Sequence, residues 1–150
     1  MGSHRVCLGL GSNLGDRALL LEQAIQLVGE RIGQVVCRSS LIETEPWGFE
    51  SPHRFLNGAV LCETRLTPRE VLEATQQIER ELGKRQEHTT ERTLRPTYKD
   101  RPVDIDILLY DDLTVDEPDL KIPHPLMEER DFVMKPLREI ETNFNKKLKH

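Results

Sequence analysis

Aromatic residues are scarce in this 150-residue chain, making up 5% of it, and Trp47 is its single tryptophan. A core must therefore be filled by Leu, Ile and Val, and an aromatic in an irregular segment needs its own explanation. Cysteine is as sparse. Cys7, Cys37 and Cys62 are odd in number and lack metal-ligand spacing, which argues against a disulfide framework or a zinc site and leaves buried free thiols of a reducing compartment. No apolar run approaches transmembrane length, and the N-terminus has no signal-peptide apolar region. No membrane association is expected, and the cytoplasm is the expected location. Positive charge is not in excess either. A formal net charge of -5 argues against general nucleic-acid or membrane-surface binding, while leaving room for a local basic patch. One domain over residues 1–150 is expected, with 1–4 partly an expression scar and 141–150 a frayed polar tail.

What is present is organised around Arg101 to Tyr110. Val103, Ile105, Ile107 and Leu109 alternate with Asp104, Asp106 and Leu108, the period of two of a strand with one buried face. Asp104 and Asp106 then project from the same side, roughly 7 Å apart along the backbone. Aspartates are depleted in strands and repel each other at this range. Such a pair needs a cation or several donors, and Mg²⁺ is typically held by one or two carboxylates plus phosphate oxygens. The plainer alternative is a solvated face near a sheet edge, where charge blunts pairing.

Around this strand the chain reads in order. Val6 to Leu10 is a strand feeding the turn Gly11-Ser12-Asn13-Leu14-Gly15-Asp16, which has neither the Gly-x-Gly-x-x-Gly nor the Gly-Lys-Ser/Thr phosphate pattern. Asp16 opens a helix to about Glu30, ended by Gly29 or Gly33. Gln34 to Thr44 is a second strand, followed by an irregular loop, Glu45-Pro46-Trp47-Gly48-Phe49, whose tryptophan either plugs the core or walls a flat-ligand pocket. His53 to Leu66 is a third strand. Asn57 within its apolar run must find partners and can offer donor and acceptor to a heterocycle edge, unless it stabilises a bulge beside Gly58. Phe55 shares its face and could stack on that ring. Thr67, Pro68 and Glu70 make a capping box for a helix to about Leu82, stopped by Gly83. Gln76 and Glu79 are three apart on it.

Lys84 to Arg101 is aperiodic and dense in charge, with Lys84, Arg85, Arg92, Arg95, Lys99 and Arg101 among its cations. A guanidinium-rich loop beside paired carboxylates suits a polyphosphate. After an acidic hairpin-like stretch, His124 is held between Pro123 and Pro125 and suits a phosphate donor. A helix over Leu126 to Leu137 carries Arg130 and Phe132. The order β-α-β-β-α-β, then a hairpin and a helix, predicts an α+β, ferredoxin-like fold with two helices on one face of an antiparallel sheet. The other face would be free to carry Phe55, Asn57, Asp104 and Asp106.

With Gly11-Ser12-Asn13-Leu14, Glu45-Pro46-Trp47-Gly48, Phe55-Leu56-Asn57, Gln76-Gln77-Ile78-Glu79, Arg101 to Leu108 and Ile122-Pro123-His124-Pro125 in this order, the chain resembles the 6-hydroxymethyl-7,8-dihydropterin pyrophosphokinase family from about Val6 to Ile140. The resemblance implies transfer of pyrophosphate from ATP to the hydroxymethyl group of a reduced pterin, with AMP as the second product. It implies two Mg²⁺ ions on Asp104 and Asp106. Phe55 and Phe132 would sandwich the pterin, Asn57 would bond its edge, and Thr44, Glu45, Pro46 and Trp47 would close the pocket. Gln76, Glu79, Arg101, His124 and Arg130 would bind or flank ATP, with Lys84 and Lys121 as further cations there. Arg92 and Arg95 would belong to a loop closing over both substrates. The chain departs from the family's pattern at Thr97, Tyr98, Asp119, Lys121 and Lys135. Of these, Asp119 should not contact phosphate.

Two rivals share the same residues. A ferredoxin-like metabolite- or RNA-binding module would do no chemistry, yet paired aspartates on the sheet would repel a phosphate backbone. A metal-dependent phosphohydrolase would use water as acceptor and need no flat slot of Phe55, Asn57 and Trp47. No unmatched apolar stripe forces a dimer, so a monomer is expected, with small-molecule substrates and no nucleic acid.

Overall fold

The computed structural model describes residues 3–44, 54–87, 102–125, 127 and 130–148, and for 84–87, 131 and 142–148 the backbone alone. The elements run β1 (His4–Ser12), α1 (Arg17–Arg31), β2 (Gly33–Arg38), β3 (Ile42–Thr44), β4 (Phe55–Thr64), α2 (Pro68–Glu87), β5 (Asp104–Tyr110), β6 (Val115–Glu117), β7 (Leu120–Ile122) and α3 (Asp131–Leu148). This is the expected β-α-β-β-α-β core followed by a hairpin and a helix. The stretch read as one second strand is two, β2 and β3, both paired antiparallel with β4. The main sheet has the order β2-β4-β1-β5 with β3 beside β4, so β1 is interior and β5 lies at an edge.

Local chemistry sets the helix starts. Gly15 takes a left-handed φ of 74°, open to a residue without Cβ, and Asp16 then accepts a hydrogen bond from the Leu19 N–H at 3.2 Å. At α2 the capping box is reciprocal. Thr67 N–H donates to Glu70 Oε1 at 2.9 Å, and Glu70 N–H donates to Thr67 Oγ1 at 3.2 Å. The helix ends depart from expectation. Gly29 and Gly83 lie inside α1 and α2, and α2 continues to Glu87. Gly33 instead opens β2, where a Cβ would collide with the Glu63 carbonyl. The C-terminal helix begins at Asp131 rather than Leu126 and continues to Leu148, so much of the supposed frayed tail is helical.

Both faces of the sheet are covered, though not equally. On the first, Val6, Leu8, Leu10, Val60, Cys62, Ile105 and Ile107 pack with Leu21, Ala24, Val28 of α1 and Ile78, Leu82 of α2. On the second, Val133, Leu137 and Ile140 of α3 pack with Cys7, Cys37, Ala59, Leu61 and Leu108. That face was expected to be open, and α3 closes part of it. The Ser40 N–H and Oγ donate to the Glu139 carboxylate at 3.1 and 2.9 Å, tying α3 to the β2–β3 connection.

The three cysteines are buried and unpaired, and burial pushes the thiols of Cys7 and Cys62 up to about 12. The folded protein at pH 8 should leave Cys7 and Cys62 unlabelled by an aromatic disulfide reagent over minutes, and guanidinium should release all three thiols. Rapid labelling of two or more thiols in the folded protein would contradict this packing.

Candidate active site

The part of the second face that α3 leaves open carries the predicted aspartates. Asp104 and Asp106 are half-buried and alternate with buried Ile105 and Ile107. The alternation breaks one residue later. Cys7 pairs with Leu109 and Leu8 with Ile107, leaving Leu108 as the extra residue of a bulge. Leu109 was expected beside Ile107, but it joins Leu108 on the α3 side. The strand thus presents two carboxylates and then two adjacent leucines to one face.

Next to β5, β1 contributes no side chains here. Gly11 pairs with Asp104 on one side and Asn57 on the other, and Gly9 pairs with Asp106 and Ala59. A Cβ on Gly11 would sit 2.7 Å from Asn57 Oδ1 and 3.4 Å from Phe55 Cδ1. Gly11 therefore floors a narrow trough that the Asn57 amide enters beside Asp104, while Leu108 covers Gly9. Gly11, expected to open the turn, lies inside β1. A glycine two residues from another in a strand was the signal for close approach of another group.

Asn57 is buried, and its Nδ2 donates to Thr44 Oγ1 at 2.6 Å. The β1 ladder runs through Asn57 and Gly58 without a shift, while on the other side the register moves by one between the Arg38–Val60 and Ile42–Asn57 pairs, beside Gly58. Thr44 pairs directly with Phe55 in the β3–β4 ladder. Thr44, Phe55 and Asn57 are therefore together, as predicted. Phe132 packs against the α3-side cluster, and the Arg130 guanidinium lies 5.8 Å from its ring centre, within cation–π range.

On the other side of the aspartates, His124 Nδ1 donates to the Pro125 carbonyl at 2.7 Å, and Nε2 lies 3.8 Å from Asp106 Oδ1. Burial holds this histidine below its ordinary pKa, so the neutral ring is favoured at pH 7. Its N–H donates to the Leu108 carbonyl at 3.1 Å. Glu79 Oε2 accepts from the Ile105 N–H at 2.7 Å, so α2 reaches the free edge of β5 between the two aspartates. Gln76 lies on the exposed face of α2. A cavity of about 360 Å³ runs along this edge, lined by Leu72, Ile105, Asp106, Ile107, Leu120 and His124 among others.

The β6–β7 hairpin forms the outer wall of that cavity. Arg69, at the start of α2, bonds Asp119 at 2.7 Å and also Glu117. Lys121 is exposed and paired with Asp116 at 2.5 Å. Asp119, singled out for its departure from the family pattern, is thus a fastening point for the hairpin. Glu45, Pro46, Trp47, Arg92, Arg95 and Arg101 lie outside the described residues, as does the side chain of Lys84.

The donor set fits a hard divalent ion that shares its shell with phosphate. Two same-face carboxylates at a solvent-accessible edge are what Mg²⁺ takes from a protein in such sites. Among the described residues no three His, Cys, Asp or Glu side chains close on one point, so an all-protein cage is not formed by them.

A family model, 7,8-dihydro-6-hydroxymethylpterin-pyrophosphokinase (HPPK), matches residues 7–142. The chain belongs to this family. HPPK membership makes it a pyrophosphokinase, and ATP and Mg²⁺ dependence is typical of the family. A 2-amino-4-hydroxy-6-hydroxymethyldihydropteridine pyrophosphokinase of Porphyromonas gingivalis is 48% identical over 136 residues, covering 90% of this chain and 89% of the relative. One of Bacillus subtilis is 44% identical, over 89% of this chain and 75% of that protein. Among solved structures, an HPPK-DHPS in complex with substrates superposes with a TM-score of 0.72 at 14% identity, over 93% of this chain and 40% of that one. The Plasmodium falciparum HPPK-DHPS with pteroate gives 0.70 at 18% identity. The chain spans about two fifths of these solved chains, and at such identities they attest to the HPPK fold alone.

The trough yields a stability test. Gly11→Ala forces Asn57 off Thr44 and should lower stability by about 1–3 kcal/mol in urea unfolding. Gly9→Ala meets the flexible end of Leu108 at 3.3 Å and should cost less than about 1 kcal/mol. A Gly11→Ala protein as stable as wild type would mean that the trough is not closely filled.

Proposed function

We propose that this site transfers pyrophosphate from ATP to the hydroxymethyl group of 6-hydroxymethyl-7,8-dihydropterin, releasing AMP. One observation carries the reading. The register places Asp104, Gly11 and Asn57 side by side on three adjacent strands. With strands about 4.8 Å apart, the backbones of Asp104 and Asn57 stand roughly 10 Å apart, with Gly11 between them. That spacing separates a phosphate-handling half from a ring-recognising half on one rigid surface.

In the ring half, Asn57 presents its amide to the edge of the pterin, with Thr44 setting its orientation. Phe55 and Phe132 offer faces to the ring system, and Glu45, Pro46 and Trp47 close the slot. In the phosphate half, the base and sugar of ATP occupy the cavity along β5, against Leu72, Ile105, Ile107 and Leu120. Arg130, Arg101, Lys84 and Lys121 serve the phosphates, His124 takes up a proton at Nε2 as it meets them, and Gln76 and Glu79 flank them. Asp104 and Asp106 would hold two Mg²⁺ ions, which would supply charge neutralisation at the phosphates.

The hydroxymethyl oxygen attacks the β-phosphorus, the bond from that phosphorus to the bridging α–β oxygen breaks, and AMP leaves with that oxygen. The hydroxyl proton passes to solvent. The protein's contribution is positioning and charge stabilisation, the usual share in phosphoryl transfer. Arg92 and Arg95 take the charge spread over the transferred group, on the family resemblance alone. Every group in this account comes from one chain, so a monomer suffices. Free buried thiols and ATP use support a cytoplasmic setting.

An AMP-release assay with ATP, Mg²⁺ and the hydroxymethyl-dihydropterin tests this against a control without pterin. AMP and the pterin diphosphate should appear only together, and ADP or pterin-independent hydrolysis would refute the reading. Asp106→Ala should abolish Mg²⁺-dependent turnover while the protein stays folded, and near-normal kcat would sink the two-carboxylate mechanism. Asn57→Ala should raise the pterin KM by about tenfold or more with little change for ATP. Equal losses for both ligands would count against edge recognition.

A further inference from the structure

Arg17 is the first residue of α1, a position where a cation opposes the helix dipole. The first turn itself holds no acidic residue, and the Asp16 carboxylate at the N-cap serves the Leu19 N–H. Its location is explained by what it reaches. Nη1 donates to the Arg54 carbonyl at 2.8 Å, and Nη2 donates to Glu43 Oε2 at 2.8 Å. Arg54 Nη1 lies 3.6 Å from Glu43 Oε1 on the far side of the same carboxylate. The Arg17 hydrogen bond also holds the Glu43 carboxyl below the usual carboxylate range.

Glu43 directly precedes Thr44, and Arg54 directly precedes Phe55. Thr44 and Phe55 are the last pair of the three-pair ladder between β3 and β4. A three-residue strand has few ladder bonds to fix its end, so a side-chain fastening from outside the sheet has leverage there. The turn from Asn13 to Asp16 leads directly into α1 and so brings Arg17 to this fastening point. A planar guanidinium can serve a carbonyl and a carboxylate together, which a single ammonium does with less geometric definition.

We propose that Arg17 is a positioning residue for the pterin slot, fastening the segments that carry Thr44 and Phe55 so that Asn57 and Phe55 meet the ring in one geometry. The inference rests on the pterin reading above. It places Arg17 outside contact with either substrate, and it gives the Gly-Ser-Asn-Leu-Gly-Asp-Arg stretch a role in substrate recognition rather than in chain reversal alone. An exposed ion pair adds little to global stability. The effect belongs in pterin affinity.

The test is calorimetric binding of the hydroxymethyl-dihydropterin and, separately, of a non-hydrolysable ATP analogue with Mg²⁺. It compares wild type, Arg17→Ala, Arg17→Lys, Glu43→Ala and the Arg17→Ala/Glu43→Ala double variant. Arg17→Ala should weaken pterin binding about tenfold and leave the ATP analogue within about twofold, the split expected of a local effect. Arg17→Lys should recover part of the loss. The double variant should bind pterin no worse than Arg17→Ala, because both changes undo one fastening. Unchanged pterin affinity in Arg17→Ala, equal losses for both ligands, or losses that multiply in the double variant would each overturn the proposal. Should Arg17→Ala fail to fold, Glu43→Ala carries the same comparison. A wild-type protein that binds the ATP analogue but no pterin would refute the underlying pterin reading instead.

Discussion

A carboxylate pair on a strand limits where the strand can sit and what can cover it. Burying ionised Asp104 and Asp106 beneath an apolar helix without partners would cost several kcal/mol each. The sheet meets this limit by placing β5 at an edge and by letting α3 cover only the apolar part of the second face. Cys7, Ala59, Leu61 and Leu108 lie under Val133, Leu137 and Ile140, while Asp104, Asp106, Asn57 and Phe55 lie beyond. The boundary of the helix is the boundary of the site. Phe132, near the start of α3, stands where the two regions meet.

The interior strand organises the rest. β1 pairs with β4 on one side and β5 on the other, so it fixes the separation of the proposed pterin half from the proposed phosphate half. It does so without a side chain of its own in the trough. Each half is then fastened from the helix layer on the opposite face. Arg17 of α1 holds the ends of β3 and β4, while Arg69 and Glu79 of α2 hold the hairpin and β5. The helices that complete the core therefore also fasten the walls of both proposed ligand sites.

Features with a local cause were legible in the sequence. Asp16 and the Thr67–Glu70 box begin helices because a side chain three residues away satisfies a backbone donor. Asp104 and Asp106 declared themselves by period. Gly29 and Gly83 misled because a glycine costs a helix only about 1 kcal/mol relative to alanine, and flanking residues such as Val28, Ile78 and Leu82 are held by the core. Leu109 changed face because its partner on β1 is a hundred residues distant, and no local pattern reports that bulge. Arg17 was invisible for a similar reason, since its partners are 26 and 37 residues away. The coverage by α3 was missed because the alternation of β4 does not say which face a later helix will take.

The strand order also sets a timetable for synthesis. β1 leaves the ribosome before its neighbour β5, with β2, β3 and β4 made in between. At typical elongation rates the chain from Ser12 to Asp104 takes on the order of ten seconds to make. Throughout that interval one side of β1 has no strand to pair with, an exposed edge of the kind that invites foreign strands. The aspartates reach the nascent sheet only when that side is sealed, so the carboxylate pair arrives together with protection from misassembly.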